Sequence, residues 1–138
     1  MTFDEVLKEA TDLAKAIEAA GFQPQLLVGL ARGGWIPTRL LSGALGVKEI
    51  VSIGMKYTDA ARTVLATYST PAPMPSNQRL LLIEDCLESG LSMAIARDIL
   101  ISAGNSVKTA ALFVTSGTIH LPDFYNRPLN VAPRFPWE

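Results

Sequence analysis

The stretch that decides the fold joins an apolar run to a cluster of acids and hydroxyls, and it reads Leu80-Leu81-Leu82-Ile83-Glu84-Asp85-Cys86-Leu87-Glu88-Ser89-Gly90-Leu91-Ser92. The apolar run, with residue 79, predicts a strand that is buried on both faces, as in a parallel sheet. A helix is predicted from about Leu91 to Ala103, where Gly104 ends it. The acids and hydroxyls therefore lie where a buried strand meets a helix.

Strands and helices alternate on both sides of this stretch. A capping box at Thr2 and Glu5 predicts a first helix that ends at Gly21, and a second helix is expected from about Pro37 to Leu45. Alternation of this kind is typical of one α/β domain whose open, mostly parallel sheet is flanked by helices. Further strands are predicted at residues 25–30, 49–53 and 107–114.

Two segments lack a clear pattern. Residues 56–78 are polar and rich in Ser, Thr and Pro, which predicts a mobile loop with a short strand near residues 64–67. The C-terminal residues, about 115–138, contain several prolines and are expected to form an irregular hood. The whole chain, residues 1–138, is expected to be a single domain.

Composition excludes several classes of protein. The single cysteine, Cys86, and the single histidine, His120, cannot build a thiolate or imidazole metal cage, so any metal is expected to be held by oxygens. A net charge of −1 without a basic run argues against nucleic-acid binding. The apolar runs are shorter than the roughly 18 residues that a membrane span needs. We therefore expect a soluble, cytoplasmic protein.

The acids of the opening stretch suggest a ligand site. Glu84, Asp85 and Glu88 repel one another, so a bound cation or the positive end of the following helix must offset them. Residues 89–92 add hydroxyls and free N–H groups at a helix N-terminus, which is a common phosphate site. The simpler interpretation is an acidic helix cap with serines as capping groups. Capping needs only one such group, so we favour the ligand site.

The stretch resembles the phosphoribosyl-pyrophosphate motif of type I phosphoribosyltransferases: an apolar strand, two acids, two apolar residues, an acid, Thr or Ser, Gly, any residue, and Thr or Ser. The resemblance implies that Glu84 and Asp85 hold the ribose hydroxyls and place Mg²⁺. It makes Glu88, where the family usually has Asp, the catalytic group beside the incoming base. The residues implied to wrap the 5′-phosphate are Ser89, Gly90, Leu91 and Ser92.

Two upstream motifs extend this resemblance. Arg32 and Gly33, in the sequence Ala-Arg-Gly-Gly after a strand, resemble the family's pyrophosphate loop. Lys56 and Tyr57, followed by the polar loop, resemble the start of the lid that closes over pyrophosphate. Taken alone, the first motif is a plain turn and the second a strand end.

The C-terminal segment resembles the hood of the small xanthine-guanine and hypoxanthine branch of the family. That branch usually has a Lys near Thr115 to contact the purine 6-oxo group and an aromatic ring near Ala132 to stack on the base. Neither is present, so the identity of the base stays open. The residues implied to contact the base are Thr115, Ala132, Pro133, Phe135 and Trp137.

The implied reaction transfers the phosphoribosyl group of 5-phosphoribosyl pyrophosphate (PRPP) to a nitrogenous base, with a 6-oxopurine expected, and serves purine salvage. The implied partners are PRPP, the base, Mg²⁺ and further copies of the chain in a dimer or tetramer. One alternative is a non-catalytic regulator of the same fold that senses PRPP or a nucleotide. A second is an α/β domain for a different phosphorylated ligand.

Overall fold

Three helices and six strands follow one another along residues 1–138, all of which the computed structural model describes. They are α1 (Phe3–Ala19), β1 (Leu26–Ala31), α2 (Trp35–Leu45), β2 (Ile50–Tyr57), β3 (Leu65–Ser69), β4 (Arg79–Leu87), α3 (Leu91–Ser102), β5 (Ser106–Thr115) and β6 (Phe124–Leu129). Strand β4 continues to Leu87, so Glu84 and Asp85 lie within it rather than after it. None of the three helices is both long and apolar enough to cross a membrane.

The strands form one sheet in the order β3-β2-β1-β4-β5-β6. All neighbouring pairs are parallel except β2 and β3, which are antiparallel. The predicted open, mostly parallel sheet is therefore confirmed. Strand β1 has β2 on one side and β4 on the other, so the direction of strand addition reverses there. Such a switch point leaves a crevice at the carboxyl ends of β1 and β4.

The apolar run of β4 fixes the strand between two packed layers. Leu81 and Ile83 face the layer that α1 and α2 cover, whereas Leu80 and Leu82 face the layer on the other side, which includes residues of α3. None of the four side chains is exposed to solvent. Burial of each stabilises the fold by about 1.5–3 kcal/mol, and it places the acids that follow at the crevice.

The helix ends predicted from the sequence are present in the structure. The capping box of α1 is present, since Thr2 Oγ1 accepts from the Glu5 N–H at 3.1 Å and the Glu5 carboxylate accepts from the Thr2 N–H at 2.7 Å. Helix α2 ends at Gly46, whose φ of +69° is a left-handed conformation that glycine adopts without strain.

The C-terminal segment is more regular than the sequence predicts. Strand β6 lies inside the segment that was expected to be irregular, and it pairs in parallel with β5. Pro128 is compatible with this strand because β6 is at the edge of the sheet, where a missing N–H donor is tolerated. The expectation of a wholly irregular hood over residues 115–138 is thus corrected.

Candidate active site

The Arg32 loop and the acids of β4 meet at the switch point. A Cβ atom on Gly33 would lie 2.6 Å from Glu84 Oε1 and 2.7 Å from both carboxylate oxygens of Asp85. A Cβ atom on Gly34 would lie 2.3 Å from the Ile83 carbonyl oxygen. Only glycine fits at position 34, where the near atoms are backbone, and a side chain at position 33 would displace the carboxylates of Glu84 and Asp85, so the two glycines allow the loop to pack directly against the acid pair.

Two cavities open beside the acid pair. The smaller, which we call the Glu84 cavity, has a volume of about 150 Å³ and is lined by Tyr57, Arg62, Glu84, Glu88 and residues 89–92. The larger, the Asp85 cavity, has a volume of about 490 Å³. Its lining includes Arg32, Gly33, Trp35, Asp85, Trp137 and Glu138. The structure therefore brings together the predicted pyrophosphate loop (Arg32 and Gly33), the acid pair (Glu84 and Asp85) and the predicted phosphate turn (residues 89–92).

The acid pair lies in an environment that disfavours negative charge. The two salt bridges of the protein join other residues, so neither Glu84 nor Asp85 is in an ion pair. Burial, and next the charge of Asp85, raises the pKa of Glu84 well above its usual value. Burial also raises the pKa of Asp85, although the N–H of Cys86, 2.6 Å from Asp85 Oδ1, opposes this shift.

The pair fits a hard divalent cation. A cation would offset the two half-buried negative charges, and Mg²⁺ prefers carboxylate oxygens. The structure contains no group of three or more His, Cys, Asp or Glu side chains that could hold a metal. Mg²⁺ bound here would complete its coordination with oxygens of a phosphorylated ligand and with water, as is usual for this ion.

The turn between β4 and α3 presents free N–H groups. Gly90 is the N-cap of α3, with a φ of +84° that favours glycine. The Ser89 hydroxyl, one residue before the N-cap, accepts a hydrogen bond from the Leu91 N–H at 3.2 Å and so satisfies one donor of the first helical turn. The N–H groups of Ser89 and Gly90 donate to no protein acceptor. They stand at a helix N-terminus that lines the Glu84 cavity, which favours an anion there.

Arg62 is a site residue that the sequence analysis missed. It is the one basic side chain that lines the Glu84 cavity, and its guanidinium carbon lies 4.8 Å from the Tyr57 ring centroid. Lys56, which was expected to begin the lid over the pyrophosphate, lies with its Nζ 5.8 Å from the centroid of the exposed Tyr68 ring and lines neither cavity. The available signal was weak: Arg62 is the only arginine in the polar segment 56–78.

The residues predicted to contact a base do not lie together at the two cavities of the site. Phe135 is 3% exposed and stacks on Phe113 and Trp137, so its ring is part of the core and is not free to stack on a base. Pro133 lines a separate cavity beside α1, and Ala132 is exposed without lining either cavity of the site. Only Trp137 lies at the site, in the Asp85 cavity.

Thr115 is close to the site, but its side chain is engaged. Its hydroxyl donates to the Glu88 carbonyl oxygen at 3.1 Å and so supports the backbone of Glu88. The structure therefore places Ala132, Pro133 and Phe135 away from the two cavities, and Thr115 holds the chain rather than presenting a free hydroxyl. The sequence did not reveal this placement because the path of the C-terminal segment depends on its pairing with β5 and packing on α1.

Cys86 and His120, the remaining reactive side chains, have no evident role in the chemistry. Burial raises the pKa of the Cys86 thiol to about 12, so the thiol is protonated at neutral pH. His120 is exposed on the loop between β5 and β6. Its backbone, rather than its imidazole, contacts the turn before α3.

Comparison with known proteins places the fold. Residues 3–132 match the family model described as the phosphoribosyl transferase domain. A purine phosphoribosyltransferase from Pyrococcus horikoshii superposes with a TM-score of 0.89 at 24% identity, covering 100% of this chain and 91% of that one. The Helicobacter pylori xanthine-guanine-hypoxanthine phosphoribosyltransferase gives 0.83 at 22% identity, with 97% and 87% covered.

A third similar structure contains a bound nucleotide. A hypothetical protein from Neisseria gonorrhoeae with bound ppGpp superposes with a TM-score of 0.88 at 21% identity, covering 100% of this chain and 87% of that one. At such identities the three structures establish a shared fold. No protein of curated function matches the sequence.

Proposed function

The chain belongs to the phosphoribosyltransferase family, and from this membership we propose that it transfers the 5-phosphoribosyl group of PRPP to a nitrogen of a 6-oxopurine. One observation carries the proposal. Gly33 lies against the carboxylates of both Glu84 and Asp85, and residues 89–92 line the same cavity as Glu84. A diphosphate loop, an acid pair for ribose and metal, and a phosphate turn thus face one crevice.

The two cavities suggest how PRPP binds. The 5′-phosphate would accept hydrogen bonds from the N–H groups of Ser89 and Gly90 and from the Ser92 hydroxyl, and Arg62 would add a positive charge. Glu84 would accept from the ribose hydroxyls. The diphosphate would extend toward Arg32 and the N-terminus of α2 in the Asp85 cavity. Fixing both ends of PRPP orients its anomeric carbon for attack.

Mg²⁺ is part of this proposal. Asp85 and Glu84 would hold the ion, which when bound stabilises the negative charge that develops on the departing pyrophosphate. Arg32 adds a positive charge at the same cavity. Glu84 and Asp85 are half-buried, so both interactions are stronger there than between fully exposed charges.

Glu88 is the proposed proton acceptor. Its side chain is exposed and lines the Glu84 cavity, so it can meet both ribose and an incoming base. As the bond from the anomeric carbon to pyrophosphate oxygen breaks, a bond to the base nitrogen forms. The proton of that nitrogen passes to Glu88, which balances the charge of the new product.

Similar structures support a purine substrate. The site has no charged side chain that would select one purine strongly over another. Two of the similar structures are named for purine substrates. The Thr115 hydroxyl is neutral and bonded to the Glu88 carbonyl, so it offers no cation for a 6-oxo group. Sites that rely on shape separate related substrates by only about 10–200-fold. We therefore expect a 6-oxopurine to be preferred with weak discrimination.

Pyrophosphate release from PRPP and Mg²⁺, measured with guanine, xanthine, hypoxanthine and adenine, tests the proposal. We expect turnover, with the best 6-oxopurine ahead of adenine by no more than about 200-fold. The Glu88→Gln variant is the internal control and should lose about 100-fold or more in kcat while keeping its PRPP affinity. A preference for one purine beyond about a thousandfold would contradict the weak discrimination proposed here.

A second candidate function is a nucleotide-sensing regulator without catalysis. The structural similarity to a protein with bound ppGpp and the absence of a base-contacting Lys favour it. Calorimetry with ppGpp and with PRPP distinguishes the two. Binding of either ligand with no turnover of any base in the panel would support the regulator and contradict the transferase.

A further inference from the structure

The loop between β5 and β6 binds consecutive carbonyl groups at the end of β4. Thr118 Oγ1 lies 2.8 Å from the carbonyl oxygen of Leu87 and 2.8 Å from that of Glu88. The next carbonyl, that of Ser89, accepts from two backbone N–H groups of the same loop, at residues 119 and 120. These contacts join parts of the chain that are about thirty residues apart.

The Thr118 hydroxyl is itself oriented. It accepts a hydrogen bond from the Thr115 N–H at 3.1 Å, so its own proton is directed toward the carbonyls of Leu87 and Glu88. The Thr115 hydroxyl supports the Glu88 carbonyl from a second position, at 3.1 Å. Two hydroxyl groups therefore converge on one carbonyl of the residue proposed to accept the proton.

Close packing reinforces these hydrogen bonds. A Cβ atom on Gly90 would lie 2.4 Å from the carbonyl oxygen of His120 and 2.9 Å from its Cβ. The loop therefore lies in direct contact with the turn before α3, without space for another atom between them. A shift of the loop would have to be accompanied by a shift of the turn.

Held carbonyls fix the direction of the N–H groups. In a trans peptide the C=O and N–H bonds point to opposite sides. The carbonyls of Glu88 and Ser89 point toward the loop, so the N–H groups of Ser89 and Gly90 point away from it. These are the two N–H groups that have no protein acceptor and that stand at the Glu84 cavity.

We propose that Thr118 is a positioning residue, whose hydroxyl orients the N–H groups that bind the 5′-phosphate and the backbone that carries Glu88. The inference rests on the proposed function, because it takes the Glu84 cavity as the 5′-phosphate site. It extends that function to a residue outside the phosphoribosyl-pyrophosphate motif. The residue acts through the backbone and does not contact the ligand.

Ribose 5-phosphate is the probe, because its binding needs the phosphate turn and no turnover. Calorimetry should give about tenfold weaker binding for Thr118→Val, the isosteric variant that lacks the hydroxyl. Thr118→Ser keeps the hydroxyl and should stay within about threefold of the wild type. Ser116→Ala is the matched control, since the exposed Ser116 hydroxyl has no partner in the protein, and it should bind as the wild type does.

Several outcomes would overturn the inference. Unchanged binding by Thr118→Val would do so, as would equally weak binding by Thr118→Ser, which would assign the effect to packing. If the wild type does not bind ribose 5-phosphate, residues 89–92 do not form a phosphate site, and the inference loses its basis. Should Thr118→Val fail to fold, Thr118→Ala also removes the hydroxyl from the carbonyls of Leu87 and Glu88, and unchanged binding there overturns the inference equally.

Failure of the proposed reaction is a separate result. A wild type that binds ribose 5-phosphate but transfers no phosphoribosyl group to any base contradicts the transferase and leaves the Thr118 comparison intact. In an active wild type, Thr118→Val should also raise the KM for PRPP and lower kcat, with both restored by Thr118→Ser. If Thr118 had a purely structural role, Thr118→Val would have a lower melting temperature while its KM for PRPP and its kcat stayed at the wild-type values.

Discussion

Asp85 is a residue at which the needs of folding and of ligand binding oppose each other. Burial raises its pKa, so the folded chain holds the carboxyl proton more tightly than the unfolded chain does. Such a carboxyl favours folding at low pH, and its contribution is lost as the pH rises through the raised pKa. At neutral pH the ionised side chain therefore costs stability that a bound cation would offset.

Replacing Asp85 by Asn should make the ligand-free protein more stable and the ligand weaker. We expect the melting temperature at pH 8 to rise by on the order of 3 °C, with a gain that shrinks toward pH 4. Calorimetry should show that Mg²⁺ strengthens PRPP binding in the wild type and not in Asp85→Asn. Asp98→Asn, on the exposed side of α3, is the control and should melt as the wild type does. Equal PRPP affinity in both proteins, with or without Mg²⁺, would contradict a metal role.

At the scale of single elements, the hairpin loop between β2 and β3 determines which basic side chain reaches the phosphate turn. The Asp59 carboxylate accepts hydrogen bonds from the N–H groups of Thr63 and Val64, each at 2.9 Å from Oδ1. These bonds close the loop and hold Arg62 with its guanidinium over the Tyr57 ring. A basic group is thus fixed opposite the N-terminus of α3, across a cavity of about 150 Å³.

The Arg62→Ala variant should bind ribose 5-phosphate and PRPP about tenfold more weakly, because it loses a charge-assisted contact to the 5′-phosphate. Arg62→Lys should recover part of this affinity, since it keeps the charge but not the planar guanidinium. Lys108→Ala, an exposed basic residue on β5, controls for the change in net charge. Affinity unchanged in Arg62→Ala by calorimetry would place the phosphate elsewhere.

For the whole molecule, one ion pair between a buried acid and a half-exposed arginine joins the first helix to the last strand. Glu9 is 7% exposed, and its carboxylate accepts from Arg127 Nη1 at 2.5 Å and from Asn126 Nδ2 at 2.7 Å. The Asn126 side chain also donates to the Glu9 carbonyl oxygen at 2.8 Å. Strand β6 is an edge strand, so this link helps to hold it, and with it the path toward Trp137, against the sheet.

Glu9→Ala should lower the free energy of unfolding by about 1.5–3 kcal/mol, because it removes the carboxylate that accepts hydrogen bonds from Asn126 and Arg127. The surface pair of Lys8 and Asp12, one turn away on the same helix, is the natural comparison. Asp12→Ala should cost no more than about 1 kcal/mol, as is usual for exposed pairs. Urea unfolding of both variants measures their free energies of unfolding. An equal loss in Glu9→Ala and Asp12→Ala would contradict a structural role for the pair of Glu9 and Arg127.

The sequence by itself determined the parts of the protein that depend on neighbouring residues. The apolar run of β4 and the acids that follow it are contiguous, so burial of the run fixes where the acids lie. The capping box of α1 and the left-handed conformation of Gly90 likewise express local geometry. The family resemblance rested on the same contiguous residues, and the fold and family it implied are confirmed.

Only the tertiary structure decided which distant residues complete the site. Arg62 reaches the phosphate turn because the β2–β3 hairpin folds over it, and Trp137 rather than Phe135 faces the site because Phe135 stacks on Phe113 in the core. Thr118 contacts Leu87 across 31 residues of sequence. Such contacts depend on how strands pair and pack across the whole chain, and no local pattern of residues specifies that pairing.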